Sequence, residues 1–305
     1  MNPPRLLRPI ILLAGWLTAP FVFAAGGPAG EISFGTDRYV EYDRGDLPIV
    51  LTSPHGGRLR PDALPDRKEG VTDMDLNTQE LARAIADEFF ARTGHRPHFV
   101  ASQLHRRKLD PNRELVEAAQ GSPAAEKAWR EFHAFIETAT RAAVAQHGFA
   151  FLIDVHGHAH PIARIELGYA LDAKQLNQSD KAFDAAELIG LSTLRDLAVR
   201  IGGSPAALLR GPRSLGDLFT QGGIRAVPGP QEPQPGNNPF FSGGYIVRQH
   251  AAAPATTKVD GLQIETYKTG LRDTAENRAR FAKVAVDALT VFLQERYGYD
   301  FPTKK

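Results

Sequence analysis

The chain has 305 residues, no cysteine, and 36 Lys and Arg against 35 Asp and Glu, for a formal net charge of +1. That balance makes no electrostatic case for nucleic acid or anionic lipid as a partner. Without cysteine there is no disulfide scaffold, thiolate metal site or cysteine nucleophile, so any metal must be held by His, Asp or Glu.

Residues 1–24 read as a secretory signal peptide. Arg5 and Arg8 form a basic leader, and residues 10–23 are an apolar stretch too short and too broken by Pro and Gly to span a bilayer. Val22-Phe23-Ala24 offers small residues for cleavage, with an uncleaved anchor as the alternative. Removing two arginines and no acid takes the net charge from +1 to about −1. The expected mature chain is periplasmic or secreted, with no membrane partner after cleavage. Residues 25–305 are expected to form a single α/β domain.

Residues 26–46 are a polar lead-in, and residues 47–52 are the first apolar run and first candidate core strand. It ends in Ser53-Pro54-His55-Gly56-Gly57, a histidine beside two glycines. Asp73 and Asp75 precede an amphipathic helix over 76–92 ended by Gly94. Helix capping explains one of these acids and leaves the other available. Residues 97–104 read as a second strand running into His105-Arg106-Arg107-Lys108-Leu109-Asp110-Pro111-Asn112-Arg113. Such a basic run is either a solvated surface or a grip for a carboxylate.

A long helix over 123–146 leads to the apolar strand 149–153, which reads as buried on both faces. Just beyond it come His156, His158 and His160, either a histidine-rich loop or metal-ligand candidates, with Asp154 near enough to orient them. Residues 164–170 suggest a strand near an edge, 172–190 a polar loop, and 192–201 and 214–222 short helices. Residues 227–238, rich in Pro, Gly, Asn and Gln, read as a surface loop and candidate lid. A strand over 261–266 carries Glu265, and a helix over 274–297 closes the chain. Strand and helix alternate, which predicts an α/β fold with a mainly parallel central sheet flanked by helices. In such a sheet ligands gather beyond the carboxyl ends of the strands, where His55, the 106–113 run, His156 and Glu265 all stand.

Ser53-Pro54-His55-Gly56-Gly57, Asp73-Met74-Asp75, Arg106 with Asp110-Pro111-Asn112-Arg113, Asp154-Val155-His156, Gly243-Gly244-Tyr245-Ile246-Val247-Arg248 and Leu262-Gln263-Ile264-Glu265 are six motifs in fixed order. Together they resemble the successive motifs of the N-formylglutamate amidohydrolase family, over about residues 48–270. That family is similar in fold and site plan to the zinc carboxypeptidases. The resemblance implies one Zn2+ per chain held by His55, His156 and Asp75, with Asp73 as the alternative acid. It implies Glu265 as general base, and Asn112 and Arg113 as the grip on a substrate carboxylate. Arg106 and Arg248 would serve an oxyanion or a second carboxylate, and the implied fold is a mixed α/β sheet flanked by helices. His158 stands outside the resemblance, either lining the pocket or satisfying backbone groups.

Two features depart from the family. Gly157-His158-Ala159-His160 follows the second zinc histidine, where many members have Ser, and a signal peptide does not suit a step of cytosolic histidine catabolism. The expected function is therefore an exported zinc amidohydrolase that cleaves a C–N bond in a small carboxylate-bearing N-acyl amino acid or peptide. The alternatives are a periplasmic metallopeptidase or amidase acting on cell-wall peptides, and a non-catalytic ligand-binding protein.

Overall fold

In the computed structural model, which describes residues 27–251 and 258–304, the chain starts with two short strands, β1 (Ile32–Phe34) and β2 (Val40–Asp43). The expected signal peptide over 1–24 lies outside the described residues. Strand β3 (Ile49–Ser53), helix α1 (Thr78–Thr93), strand β4 (His98–Ser102), and helices α2 (Leu115–Ala119) and α3 (Pro123–His147) follow. Next come β5 (Ala150–Gly157), β6 (Ile165–Gly168) and the short helices α4 (Ala173–Leu176), α5 (Asp180–Ala185), α6 (Arg195–Ile201), α7 (Pro205–Arg210) and α8 (Leu215–Gln221). The chain closes with β7 (Ala226–Val227), α9 (Tyr245–His250), β8 (Val259–Thr266) and α10 (Ala275–Tyr297).

The strands form one open sheet in the order β1-β2-β4-β3-β5-β8-β6-β7. β4, β3, β5 and β8 run parallel, whereas β2 and β6 run antiparallel to their inner neighbours. The fold is thus mixed α/β with a parallel centre. Both faces of that centre are covered, which is why its strands read as continuous apolar runs. Leu51, Phe151, Ile153 and Ile264 pack with Leu81, Ile85 and Phe89 of α1 and with Phe281, Leu289 and Phe292 of α10. Val50, Val100 and Leu152 pack on the opposite face with Phe132, Phe135 and Ile136 of α3. Local signals set the helix limits. Ser122 accepts the Ala125 N–H at the start of α3, Pro123 occupies its first turn, and Gly148 ends it at φ 82°.

Three stretches differ from expectation. The polar lead-in contains β1 and β2; polar residues alternate in both, β2 gains its order from pairing with β4 and from Tyr42 packing on Phe135, and β1 from pairing with β2. The expected loop over 172–190 contains α4 and α5, capped by Asp172 and Ser179. The candidate lid loop packs its first residues, Pro228 and Gly229, against Gly216 of α8 and supplies no lining residue to the cavity described below.

His98 opens β4 at 1% exposure, and its Nδ1 accepts hydrogen bonds from the Tyr42 hydroxyl at 2.9 Å and the Gly45 N–H at 3.1 Å. Burial, helped by the Arg44 charge, pushes its pKa down from 6.5 to about 4. The unfolded chain binds this proton near pH 6.5 and the folded chain resists it. The stability tied to neutral His98 is therefore fully present above that pH and is lost as pH falls toward 4. Urea unfolding at pH 7 and again near pH 4.5 should show His98 removing about 2 to 3 kcal/mol. His98→Gln keeps an acceptor without a titrating ring, so its stability should fall correspondingly less over the same interval.

Candidate active site

The α3-facing side of the sheet changes character along the strands. On β5, Ala150 and Leu152 are core residues, and the next two positions on that face are Asp154 and His156. Register places Thr52 beside Asp154 on one side, and on the other Gln263 beside Asp154 and Glu265 beside His156. Past the end of β3 the chain turns sharply through Gly56 and Gly57. A Cβ on Gly57 would lie 2.3 Å from the Leu104 carbonyl oxygen, so only glycine lets this turn press against the end of β4. That close approach carries His55 to the same spot as His156, with ring centroids 4.7 Å apart.

Asp75 is the meeting point. Its Oδ2 lies 3.3 Å from His55 Nδ1 and 3.2 Å from His156 Nδ1, and accepts the Gly157 N–H at 3.1 Å. The far nitrogens of both rings are held by buried carboxylates. His55 Nε2 bonds Asp110 Oδ1 at 2.6 Å, and His156 Nε2 bonds Asp154 Oδ2 at 2.7 Å. Asp154 in turn accepts the Thr52 hydroxyl at 2.6 Å, and Asp110 accepts Arg106 Nε–H at 2.9 Å. With both Nε2 atoms engaged by carboxylates, the two Nδ1 atoms face one oxygen of Asp75, a point that a proton or another cation can occupy.

The ligand atoms of His55, Asp75 and His156 lie within 4.8 Å of one another, a spacing that could hold a metal ion. Charge favours a cation there as well. Asp75, Asp110, Asp154 and Glu265 are all buried, against the buried guanidinium groups of Arg106, Arg67 and Arg272. Burial opposes a charge on His156, yet the Asp154 carboxylate and then Asp75 and Glu265 hold its pKa well above 6.5, so the cluster draws positive charge to this point. Two imidazoles oriented by carboxylates, one further carboxylate and an open side toward a cavity fit a catalytic metal site.

Glu265 stands next to this cluster. Its Oε1 accepts Gln263 Nε2–H at 2.8 Å, while its Oε2 is buried without a partner. Burial pushes its pKa up to about 8, reinforced by Asp75, Glu166 and Asp154 and opposed by His156.

A cavity of about 280 Å³ opens onto His55, Asp75, Arg106, Asn112, Arg113, His156 and Glu265, which the sequence singles out and the fold brings together. Arg106 is buried between Asp110 and Asp75, its Nη1 3.7 Å from Asp75 Oδ1. Arg113 is half-exposed, with Nε on Glu117 at 2.9 Å and Nη1 on the Asn112 carbonyl at 2.8 Å, which leaves Nη2. Asn112 is an internal strut. Its Oδ1 accepts the Ile246 N–H at 2.8 Å and its Nδ2 donates to Gln263 Oε1 at 3.3 Å. Nδ2 also lies 3.3 Å from His156 Nε2, whose proton goes to Asp154, so that contact is not a hydrogen bond.

Three sequence candidates stand outside the cavity. Asp73 is exposed, which leaves Asp75 as the acid of the cluster. Arg248 lies on α9 with its guanidinium folded back onto the Gly243 carbonyl at 3.3 Å and Ser242 Oγ at 3.2 Å. His158 is buried with both ring nitrogens used, Nε2 donating to the Arg164 carbonyl at 2.8 Å and Nδ1 accepting the His160 N–H at 3.1 Å. Conversely, Asp110 and Gln263 prove to orient His55 and Glu265. The available signal for Asp110 is that it is the one acid in the basic run 105–113.

No protein-family model matches the sequence, and no curated protein matches it. Among solved structures the chain is similar to N-formylglutamate amidohydrolase from Ralstonia eutropha JMP134, at 15% identity and TM-score 0.49, covering 85% of this chain and 99% of that one. It is also similar to a gene product of Agrobacterium tumefaciens, at 13% identity and TM-score 0.49, covering 86% of this chain and 99% of that one. A carboxypeptidase A candidate from Shewanella denitrificans OS-217 follows at 12% identity and TM-score 0.38, covering 88% of this chain and 65% of that one. These likenesses concern the fold.

Protein equilibrated with zinc and desalted should retain about one ion per chain by metal analysis. His156→Ala should lose it. Asp110→Asn should weaken binding by about 10–100-fold in a chelator competition, because the charge that orients and strengthens His55 is gone. Asp73→Asn should leave affinity unchanged.

Proposed function

We propose that the protein is an exported zinc-dependent amidohydrolase that cleaves a C–N amide bond in a carboxylate-bearing N-acyl amino acid or small peptide. The observation that carries this reading is the convergence of His55, His156 and Asp75 beside the unpartnered, buried Oε2 of Glu265 in one cavity. Zinc, when bound by those three side chains, supplies Lewis acidity toward a carbonyl and a water molecule. The chain's own groups do the rest. Glu265 Oε2 accepts a proton from the water whose oxygen attacks the carbonyl carbon, and returns it to the amine nitrogen as the C–N bond breaks. Burial favours the protonated carboxyl at neutral pH, and a divalent charge alongside offsets this and restores the base.

Arg106 is fixed by Asp110, and its remaining N–H groups can stabilise negative charge developing on the carbonyl oxygen. Arg113 Nη2 is the anchor for the substrate carboxylate, while Asn112 shapes the cavity instead of gripping the ligand. The basic-then-apolar N-terminal sequence supports export to the periplasm or exterior. A cavity of about 280 Å³ suits a single acyl-amino acid better than a long cell-wall peptide. A pure binding protein would have no use for a proton acceptor at Glu265.

Hydrolysis of N-formyl and N-acetyl amino acids by zinc-loaded protein tests the proposal directly. Glu265→Gln should keep its metal and lose roughly 10²–10⁴-fold in kcat. Retained turnover in that variant would remove Glu265 as the base, and no turnover by wild type on any N-acyl amino acid or peptide would favour the binding-protein reading.

A further inference from the structure

Part of the cavity lining is apolar, although the metal cluster alone would not require it. Phe240 and Phe241 line the cavity together with Val71. Eight large hydrophobic side chains are exposed among the described residues, and Val71, at 53%, and Phe241, at 44%, are the two that border this cavity. Exposed aromatic surface in a pocket is normally there to be covered by ligand.

Phe241 is held in that exposed position. Its ring stacks on His160 with centroids 4.5 Å apart and planes 19° from parallel. His160 Nδ1 is bonded to Glu166 Oε1 at 2.9 Å, and Glu166 Oε2 accepts the Phe241 N–H at 2.8 Å. One fully buried carboxylate therefore fixes both the backbone of Phe241 and the ring beneath its face. The neighbouring Ser242 carbonyl accepts the Ala170 N–H at 2.7 Å, and Gly244 N–H donates to Gln263 Oε1 at 2.7 Å. His158, His160 and Glu166 lie close enough together to hold an ion, but both nitrogens of His158 are already committed. The arrangement supports an aromatic wall, not a second metal centre.

The cationic groups lining the cavity complete the argument. Apart from the histidines of the metal cluster, these are Arg106 and Arg113 among the described residues. Arg106 is already matched by Asp110 and Asp75, and Arg113 keeps one free nitrogen, Nη2. Arg248 does not line the cavity and spends its guanidinium on Ser242 and Gly243 at the rim, and Arg272 is buried on the Thr266 carbonyl. One carboxylate of a substrate can be met; a second has no partner and would face Phe240 and Phe241.

We infer that the substrate is a monocarboxylate whose apolar or aromatic group lies against Phe241, and that N-acyl dicarboxylates such as N-acyl glutamate are disfavoured. Phe241 is the specificity-determining residue, and His160 is a positioning residue that acts through it. The catalytic half of this inference rests on the hydrolytic reading above, whereas the binding half does not. Placing a phenyl-sized group on the wall, against forcing a carboxylate there, separates the two ligands by about 10–100-fold.

The test uses zinc-loaded wild-type protein and two readouts. Calorimetry measures binding of free L-phenylalanine, L-leucine and L-glutamate, which would be products of the cleavage, and kinetics follows their N-acetyl derivatives. Phenylalanine and leucine should bind at least ~10-fold tighter than glutamate, with kcat/KM in the same order. Phe241→Ala should collapse this preference and Phe241→Arg should invert it, with metal content unchanged in both. His160→Ala should raise KM for the phenylalanine substrate while leaving kcat and the glutamate KM as they were, and His160→Phe should restore the wild-type KM by rebuilding the stack. Equal or tighter binding of glutamate, an undiminished preference in Phe241→Ala, or no binding of any of the three would overturn the inference. A binding preference without hydrolysis would leave the wall standing and remove the hydrolase reading.

Discussion

Two buried hydrogen bonds between carboxylate and imidazole, Asp154 to His156 and Asp110 to His55, set the chemistry of this molecule. Each engages Nε2 and turns Nδ1 inward toward Asp75. Neither carboxylate could stay charged at its depth without such partners, since an isolated buried charge costs several kcal/mol. Burial works against Asp110, but His55 and Arg106 more than compensate and hold it far below the usual carboxylate range. The same contacts that make the acids tolerable thus orient the rings. Removing one member would leave an unpaired charge as well as a misdirected ligand, so stability and metal affinity are coupled at these positions.

The sheet explains why these groups meet at all. Four parallel strands in the order β4-β3-β5-β8 end on the same edge; the last residues of β5 and β8 include His156 and Glu265, and the chain past β3 and β4 contributes His55 and the Arg106–Arg113 region. The antiparallel β6 adds a different element. Its Glu166 pairs in register with Glu265, which brings a second buried carboxylate beside the first and ties the 240–244 segment to the sheet. Parallel strands supply the proposed catalytic groups, and the antiparallel neighbour supplies the wall beside them.

Much of this was legible in the sequence where a single residue's chemistry coincided with a strand end. His55, His156 and Glu265 follow or terminate apolar runs, and period-2 alternation on β5 and β8 then determines the face they share. Choosing Asp75 over Asp73 required the third dimension, since only the fold shows one buried on both histidines and the other exposed. Arg248 misleads in a different way. An arginine has enough reach to fold back onto nearby acceptors, and Ser242 Oγ and the Gly243 carbonyl, which line the cavity, hold it at the rim. The strands β1 and β2 were hidden because their residues alternate polar groups over only a few positions, and their order comes from partners distant in sequence.

Asn112 shows how tightly the two halves of the site are joined. Its carboxamide spans from Gln263 on β8 to the first turn of α9, and a Cβ on Gly244 would lie only 2.1 Å from its Nδ2. A substrate-gripping asparagine would need its amide free to exchange water for ligand; this one is spent inside the protein. Gln263 in turn bonds Glu265 and Gly244, so the proposed base, the strut and the aromatic segment form one connected network. Such a network holds the proton acceptor and the apolar wall at a set separation before any ligand arrives. The ordering is done during folding, and little of it remains to oppose binding. The same rigidity narrows what can bind, because a wall that cannot move aside cannot accommodate a charged group in place of an apolar one.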